Sequence, residues 1–469
     1  MGKVFISFLG SSLYGKCTYQ YGEFKSTETR FVQQATIEWI MQEAEWAKED
    51  KAFILVTGGN EGSKVQNWDN TSDTRMQRNP QTCKNEAISY PRLEKVISDM
   101  NLPFKTKPVL IADGKDEKEI WEIFKEIVKL IEDRDELYLD LTHGFRYLPM
   151  LLLVLGNYLK LLKKVQVKHI SYGNYEARDK ANNAPFVNLL PFSALQDWTM
   201  AAKSFVKYGK VEELREQLSV NRFKEEYRNE SEEVNAAYGI DFKLKKLSAA
   251  ITFNKLDTIR EGIDMTKEMN ALSQEHEILP EPFFPLIKEV EDKVSTFKQG
   301  TLENVFAATN WCIRHEMYQN AYSILLEGVI SIILDSLSIP YKENKEVTPQ
   351  LLAEDYRQIV TYVANFKTPK KDKGGNPINK DIDQCLKGFS FKSQGKEFEI
   401  KDAIRKVWGS MDEDLCKSIS SLSTMRNAYM HAGTGTNPLG PDNKIKTSIE
   451  ESYKSLYKKL YREKGDESC

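Results

Sequence analysis

Leu137-Tyr138-Leu139-Asp140-Leu141-Thr142-His143-Gly144-Phe145-Arg146, running on through Tyr147-Leu148-Pro149-Met150 into Leu151-Leu152-Leu153, decides the fold of the N-terminal half. An apolar run of strand character ends at Thr142, Gly144 permits a tight turn, and an apolar helical pattern follows with Arg146 in its expected first turn. A strand that leads through a short loop into a helix is the unit from which open parallel sheets are built. Outward from this stretch the same alternation repeats. Strands are expected at Val4–Leu9, Phe53–Thr57, Pro108–Ala112, Leu137–Leu141 and Val165–Tyr172. Helices are expected over Phe31–Ala47, Asn85–Met100, Lys115–Glu132 and Phe145–Lys163, and Thr18–Lys25 reads as a hairpin inserted after the first strand.

Beyond Leu195 the strand pattern stops. Trp198–Tyr208, Phe242–Ala271 and Val305–Leu337 place apolar residues at helical spacing with few Gly or Pro, so the second half is expected to be α. Lys367–Lys380 (KTPKKDKGGNPINK) is basic and rich in Gly and Pro, and reads as a mobile surface loop, either a solvated connection or a guide for RNA.

A chain of 469 residues is long enough for two or three cores. Its formal net charge of −3 gives no whole-molecule attraction for nucleic acid, so any RNA contact must rest on local basic patches. Cys17, Cys83, Cys312, Cys385, Cys416 and Cys469 lie far apart, with no C-x-x-C pair, which fits a reducing cytoplasm rather than a disulfide framework or a zinc site. Five histidines without metal spacing favour metal-independent chemistry. Lys3 and the run Val4–Leu9 are too short for a signal peptide, and Leu148–Leu162, broken by Gly156, Asn157 and Lys160, falls short of the ~20 residues of a membrane span. No membrane partner is expected.

Two loops at expected strand ends carry ligand chemistry. Gly10-Ser11-Ser12 lets a ligand approach the backbone and offers two hydroxyls, although Gly and Ser also form ordinary turns. Thr142, His143, Gly144 and Arg146 form the second loop. Free N–H groups at a helix start favour an anion, and a cation there opposes the helix dipole unless it holds one. The alternative is that Thr142 caps the helix and Arg146 pairs with an acidic neighbour. Neither loop matches a dinucleotide or Walker-type phosphate motif, which disfavours NAD or ATP enzymology.

Near the other end lies Thr424-Met425-Arg426-Asn427-Ala428-Tyr429-Met430-His431-Ala432-Gly433. Leu415–Met425 has helical spacing, and Gly433 can supply a left-handed stop. At ~3.6 residues per turn Arg426 and His431 point about 140° apart, so the pair can share a site only if His431 curls back at the helix end. Arg426 would grip a scissile phosphate, His431 would move protons near neutrality, and Asn427 would orient the imidazole or contact phosphate. The alternative is a helix-end cation at His431 beside an ordinary surface arginine.

Together these residues resemble the CRISPR-associated CARF–HEPN ribonucleases of type III systems. VFISFLGSSLYG, CTYQYGEF and LYLDLTHGFRYLPMLLL look like the sensor domain of that family, and RNAYMH matches the HEPN pattern. Trp311 through Glu327, with Tyr318 and Ala321, resembles the helix that opens a HEPN core. The resemblance implies an α/β plus all-α chain: a Rossmann-like CARF sheet over 1–195, a helical connector over 196–300, and a HEPN core over 301–469 with an insertion near 338–410. It implies a homodimer that binds cyclic oligoadenylate (tetra- or hexa-adenylate) on its axis through Gly10, Ser11, Ser12, Thr142, His143, Gly144 and Arg146. Two Arg426/His431 sets would then meet in one composite site. Single-stranded RNA would be cleaved to 2′,3′-cyclic phosphate and 5′-hydroxyl ends, with no metal or other cofactor. Ser11, Ser12 and His143 would be the residues to suspect if the sensor degrades its own activator. The competing expectation is a sensor or ring nuclease whose helical half only binds or oligomerises.

Overall fold

The computed structural model describes residues 2–69, 74–78, 83–89, 91–143, 147–218, 232–275, 281–342, 350–369, 381–430 and 442–462. The chain divides into two compact units, 1–196 and 197–469. The first is a mixed α/β sheet and the second is helical, as expected from the patterning.

In the first unit the strands and helices run β1 (Lys3–Phe8), β2 (Thr18–Tyr21), β3 (Phe24–Lys25), α1 (Val32–Glu43), β4 (Lys51–Thr57), β5 (Thr74–Arg78), β6 (Asn85–Ser89), α2 (Leu93–Asp99), β7 (Lys105–Ile111), α3 (Glu117–Leu130), β8 (Glu136–Asp140), α4 (Leu148–Leu162), β9 (Gln166–Gly173) and β10 (Asn183–Asn188). The helix α5 (Leu190–Tyr208) follows. Eight strands form one sheet in the order β3-β2-β10-β9-β8-β1-β4-β7, and β5 and β6 form a separate pair. The five strands β9-β8-β1-β4-β7 at one side of the sheet are mutually parallel, β10 is antiparallel to β9, and the β2–β3 hairpin joins the sheet through β10.

Strands buried on both faces read as continuous apolar runs, which is why β1, β4 and β8 were legible. Their side chains alternate between two cores. Val4, Ile6, Phe8, Leu55, Leu137 and Leu139 pack with Ile123 and Ile127 of α3 and Leu152, Leu155 and Leu159 of α4. Phe5, Ala52, Ile54, Val56 and Tyr138 pack on the other face with Ile37 and Ile40 of α1 and Leu93 and Ile97 of α2.

Two expectations are corrected here. Asn85–Met100 is not one helix: β6 pairs with β5, and α2 begins only at Leu93. Pro91 excludes α geometry from the residue before it, so a helix starts only beyond it. The open sheet is mixed rather than wholly parallel, because β10, with Pro185 and flanking Asn residues, gave no strand signal. The helix expected over Phe145–Lys163 is described as Leu148–Leu162, with Pro149 at its start, and Arg146 lies outside the described residues.

The second unit continues with α6 (Glu212–Leu218), α7 (Glu232–Thr252), α8 (Leu256–Glu261), α9 (Thr266–Glu275), α10 (Phe284–Val294), α11 (Asn304–Arg314), α12 (Tyr318–Ser336), α13 (Gln350–Lys367), α14 (Ile382–Gly388), α15 (Glu397–Ser410), α16 (Glu413–Met430) and α17 (Asp442–Tyr457). Phe242–Ala271 breaks at Asn254 (φ 53°) and Gly262 (φ 72°), and Val305–Leu337 at Glu316 (φ 59°). The stretch Trp311–Glu327 is therefore the end of α11, a turn and the start of α12, not one helix. The helix α12 is buried nearly all round, packing on α11, α13, α16 and α17. A Cβ at Gly328 would lie 2.0 Å from Val305 Cγ1, so the glycine lets α11 and α12 approach closely. The 338–410 stretch supplies α13, which packs against α12, α15 and α16. Lys367 likewise belongs to α13, and its Nζ donates to the carbonyls of Trp408 (2.9 Å) and Met411 (2.6 Å); residues 370–380 of the basic loop lie outside the described residues. Among the described residues no helix is long and apolar enough to cross a membrane.

Candidate functional sites

In an open α/β sheet a crevice opens at the carboxyl ends of strands where the winding direction reverses. Here β1 leads to β4 and β7 on one side, whereas β8, on the other side of β1, leads to β9. The reversal falls between β1 and β8, whose ends align Ser7 with Asp140. The loops leaving these strands are Gly10-Ser11-Ser12 and Thr142-His143, so the topology brings these five expected residues to one crevice. Gly144 and Arg146 lie outside the described residues.

The first loop is held from below. The buried Asn67 donates its Nδ2 to the carbonyls of Gly10 (2.7 Å) and Ser12 (2.8 Å), leaving Ser11 and Ser12 exposed. A Cβ at Gly10 would sit 1.8 Å from the Tyr14 hydroxyl, so the ring of Tyr14 lies across the glycine. Tyr14 also stacks on His143 (centroids 4.3 Å apart, planes at 18°), which links the two loops directly. Sequence reading missed both Asn67 and Tyr14, since their roles come from contacts between separate loops.

Thr142 faces inward. Its hydroxyl donates to Asp140 Oδ1 and accepts from the Gly173 N–H (2.8 Å), and it does not cap α4. Asp140 is fully buried; besides the Thr142 hydroxyl it accepts from the Thr142 N–H (3.0 Å) and from Ser7 Oγ (2.6 Å). Gln33 Nε2 in turn donates to Ser7 Oγ (3.2 Å) and the Phe8 carbonyl (2.7 Å). Burial pushes the Asp140 carboxyl up, against the Ser7 and Thr142 hydrogen bonds that pull it down. This chain ties α1, β1, β8 and β9 together beneath the crevice.

The His143 Nε2 is sealed from water with no hydrogen-bond partner among the described residues, and burial lowers the imidazole to about 4. His143 is therefore neutral at pH 7 and can offer a ligand a hydrogen bond rather than a charge. Because the folded value lies below the ordinary 6.5, its contribution to stability is complete above 6.5 and declines as pH falls toward 4. In an NMR titration of the five histidines, two imidazoles, His143 and His315, are expected to titrate near 4, and one of these two resonances is expected to vanish in His143→Gln. A His143 midpoint close to 6.5 would show that water reaches Nε2.

In the second unit, Arg426 and Asn427 sit in the last turns of α16, which is described to Met430. Asn427 is exposed and Arg426 is one-third exposed. His431 and Gly433 lie outside the described residues. Arg426 is not an ordinary surface arginine. Its Nη2 lies 3.8 Å from Glu327 Oε1 of α12, and Glu327 also binds Arg357 of α13 through its other oxygen. Glu327 and Arg357 had no signal in the sequence, being far from Arg426 along the chain.

Residues 4–176 match the family model described as the CARF domain of the CRISPR system endoribonuclease Csx1. Residues 194–300 match that of the second domain of CRISPR-associated protein MJ1674. The CRISPR-associated protein MJ1674 of Methanocaldococcus jannaschii is 26% identical over 363 residues, 71% of this chain and 54% of that protein. The chain thus spans about half the length of this relative. The N-terminal unit has the CARF architecture, and the chain is similar to CRISPR-associated CARF proteins. Both matched ranges end before residue 301, short of the α11–α17 bundle.

Proposed function

We propose that this protein is a cyclic-oligoadenylate-responsive endoribonuclease of CRISPR type III defence, acting on single-stranded RNA as a cytoplasmic homodimer without a metal. The sensor half rests on the crevice at the β1/β8 reversal, where Gly10, Ser11, Ser12 and the neutral His143 converge within a CARF-type sheet. In the effector half, Arg426 and Asn427 lie four and three residues before the end of α16 at Met430, and His431 comes next in the sequence. A guanidinium there would hold the scissile phosphate. The 2′-hydroxyl oxygen would attack phosphorus, the bond to the 5′ oxygen would break, and His431 would move a proton from the nucleophile or to the leaving oxygen. The products are a 2′,3′-cyclic phosphate and a 5′-hydroxyl.

Pairing of two copies is supported by α4. Met150, Val154, Tyr158 and Leu161 recur at helical spacing along its outer side and are exposed, Met150 at 69% and Leu161 at 71%. Trp121 of α3 is also exposed, and its neighbour Phe124 packs edge-on against Tyr158. An apolar stripe of this kind marks an interaction surface. A second copy seated there would bring its own crevice close, because α4 leads directly out of the Thr142-His143 loop. A two-fold ligand could then bias how the copies pack.

The test is cleavage of a fluorescent single-stranded RNA in EDTA, with and without cyclic tetra- or hexa-adenylate. Cleavage is expected only with activator. Equal rates in both conditions would remove the sensing role, and RNA left intact in both would leave a binding module.

A further inference from the structure

Glu327 of α12 faces two guanidiniums, and it holds them unequally. Arg357 takes the close contact with Oε2, donates from Nη1 to Ser331 Oγ (3.3 Å) and from Nη2 to the Glu327 carbonyl (3.4 Å), and lies 5.4 Å from the Tyr341 ring centroid. Among the described residues Arg426 has only the 3.8 Å approach to Oε1, and its Nε is buried without a partner there. Two cations and one carboxylate leave an excess of one positive charge at a partly exposed point on a chain of net charge −3. The group missing from this cluster is an anion.

Resting on the ribonuclease reading above, we infer that Glu327 is a positioning residue that aims Arg426 at the RNA phosphate, and that Arg357 neutralises Glu327 so that its carboxylate neither captures Arg426 nor repels the incoming phosphate. A carboxylate a few ångströms from a phosphate site opposes binding unless a fixed cation screens it. The contacts on Arg357 supply that fixed cation. The long contact of Arg426 leaves its guanidinium available for transfer to substrate.

A distinctive mutational pattern follows. Arg357→Ala frees Glu327 to close on Arg426, and RNA cleavage is expected to fall about tenfold or more, the range of coupling between groups in one network. Adding Glu327→Ala to Arg357→Ala is expected to raise cleavage again, because the competing carboxylate is gone, but to leave it below the unsubstituted protein, because Arg426 is no longer aimed. Arg357→Lys, which keeps the charge, is expected to stay within about threefold of the unsubstituted protein. A purely structural role predicts the opposite: a double variant no better than Arg357→Ala, and no rescue by lysine. Either result would overturn the inference. A second readout uses RNA binding in a His431→Ala background, where loss of one phosphate contact lowers the slope of log affinity against log salt by about 0.7. That slope is expected to drop in Arg357→Ala and to recover in the double variant. If Arg357→Ala does not fold, Arg357→Gln with Glu327→Gln carries the same comparison. Failure of the ribonuclease reading looks different: the unsubstituted protein cleaves no RNA with or without activator, and the inference falls with it.

Discussion

Arg426→Ala is expected to lower activator-dependent RNA cleavage by about 10²–10³-fold, the usual loss when one donor to a developing oxyanion is removed. His431→Ala is expected to cost about 10²–10⁴-fold, as for other general acid–base groups. The fold should not suffer in Arg426→Ala. The side chain is one-third exposed and its one ion pair is long, so it contributes about 1 kcal/mol or less to stability. The double variant should be little worse than the poorer single one, because two groups acting on one phosphate do not contribute additively. Single-turnover cleavage together with circular dichroism separates these effects. Near-normal turnover in both variants would move the chemistry to other residues.

Asp140→Ala should have the largest effect in the N-terminal unit, and on stability rather than chemistry. The Ser7 hydroxyl and both the N–H and hydroxyl of Thr142 lose a buried acceptor. Each unsatisfied group costs about 1–3 kcal/mol, so a total of about 3 kcal/mol or more is expected. Hydrogen exchange should accelerate in β1 and β8, the strands that this carboxylate joins, and should change less in Asp140→Asn, which keeps one acceptor oxygen. Unchanged protection in Asp140→Ala would mean that the network adds little to the sheet. With the Thr142-His143 loop loosened, activator binding should also weaken.

How much of this was readable in the sequence depended on the range of the interactions. The strands β1, β4 and β8 were located to within a few residues because both of their faces are buried. The hairpin β2–β3 was legible for a different local reason, the short turn at Gly22 (φ 55°) between two strand-forming runs. By contrast, β10 carries Pro185 and an asparagine at each end, Asn183 and Asn188, and it is a strand only because β9 and β2 flank it. Thr142 stood out as polar in an apolar context, yet its partners Asp140 and Gly173 decide what it does, and Gly173 arrives from another strand. The arginine of the R-x4-H spacing was plain; its setting was not. Glu327 and Arg357 meet Arg426 only once α12, α13 and α16 are packed.

The placement of β10 also governs when this chain can finish folding. The hairpin formed by residues 18–25 pairs with nothing else in the large sheet until Asn183–Asn188 has been made, since β10 is its link to β9. Closing such a long loop is slow, and during synthesis the hairpin must wait while most of the unit emerges. A nascent chain halted before residue 183 would leave β9 as an open edge, ready to pair with another chain.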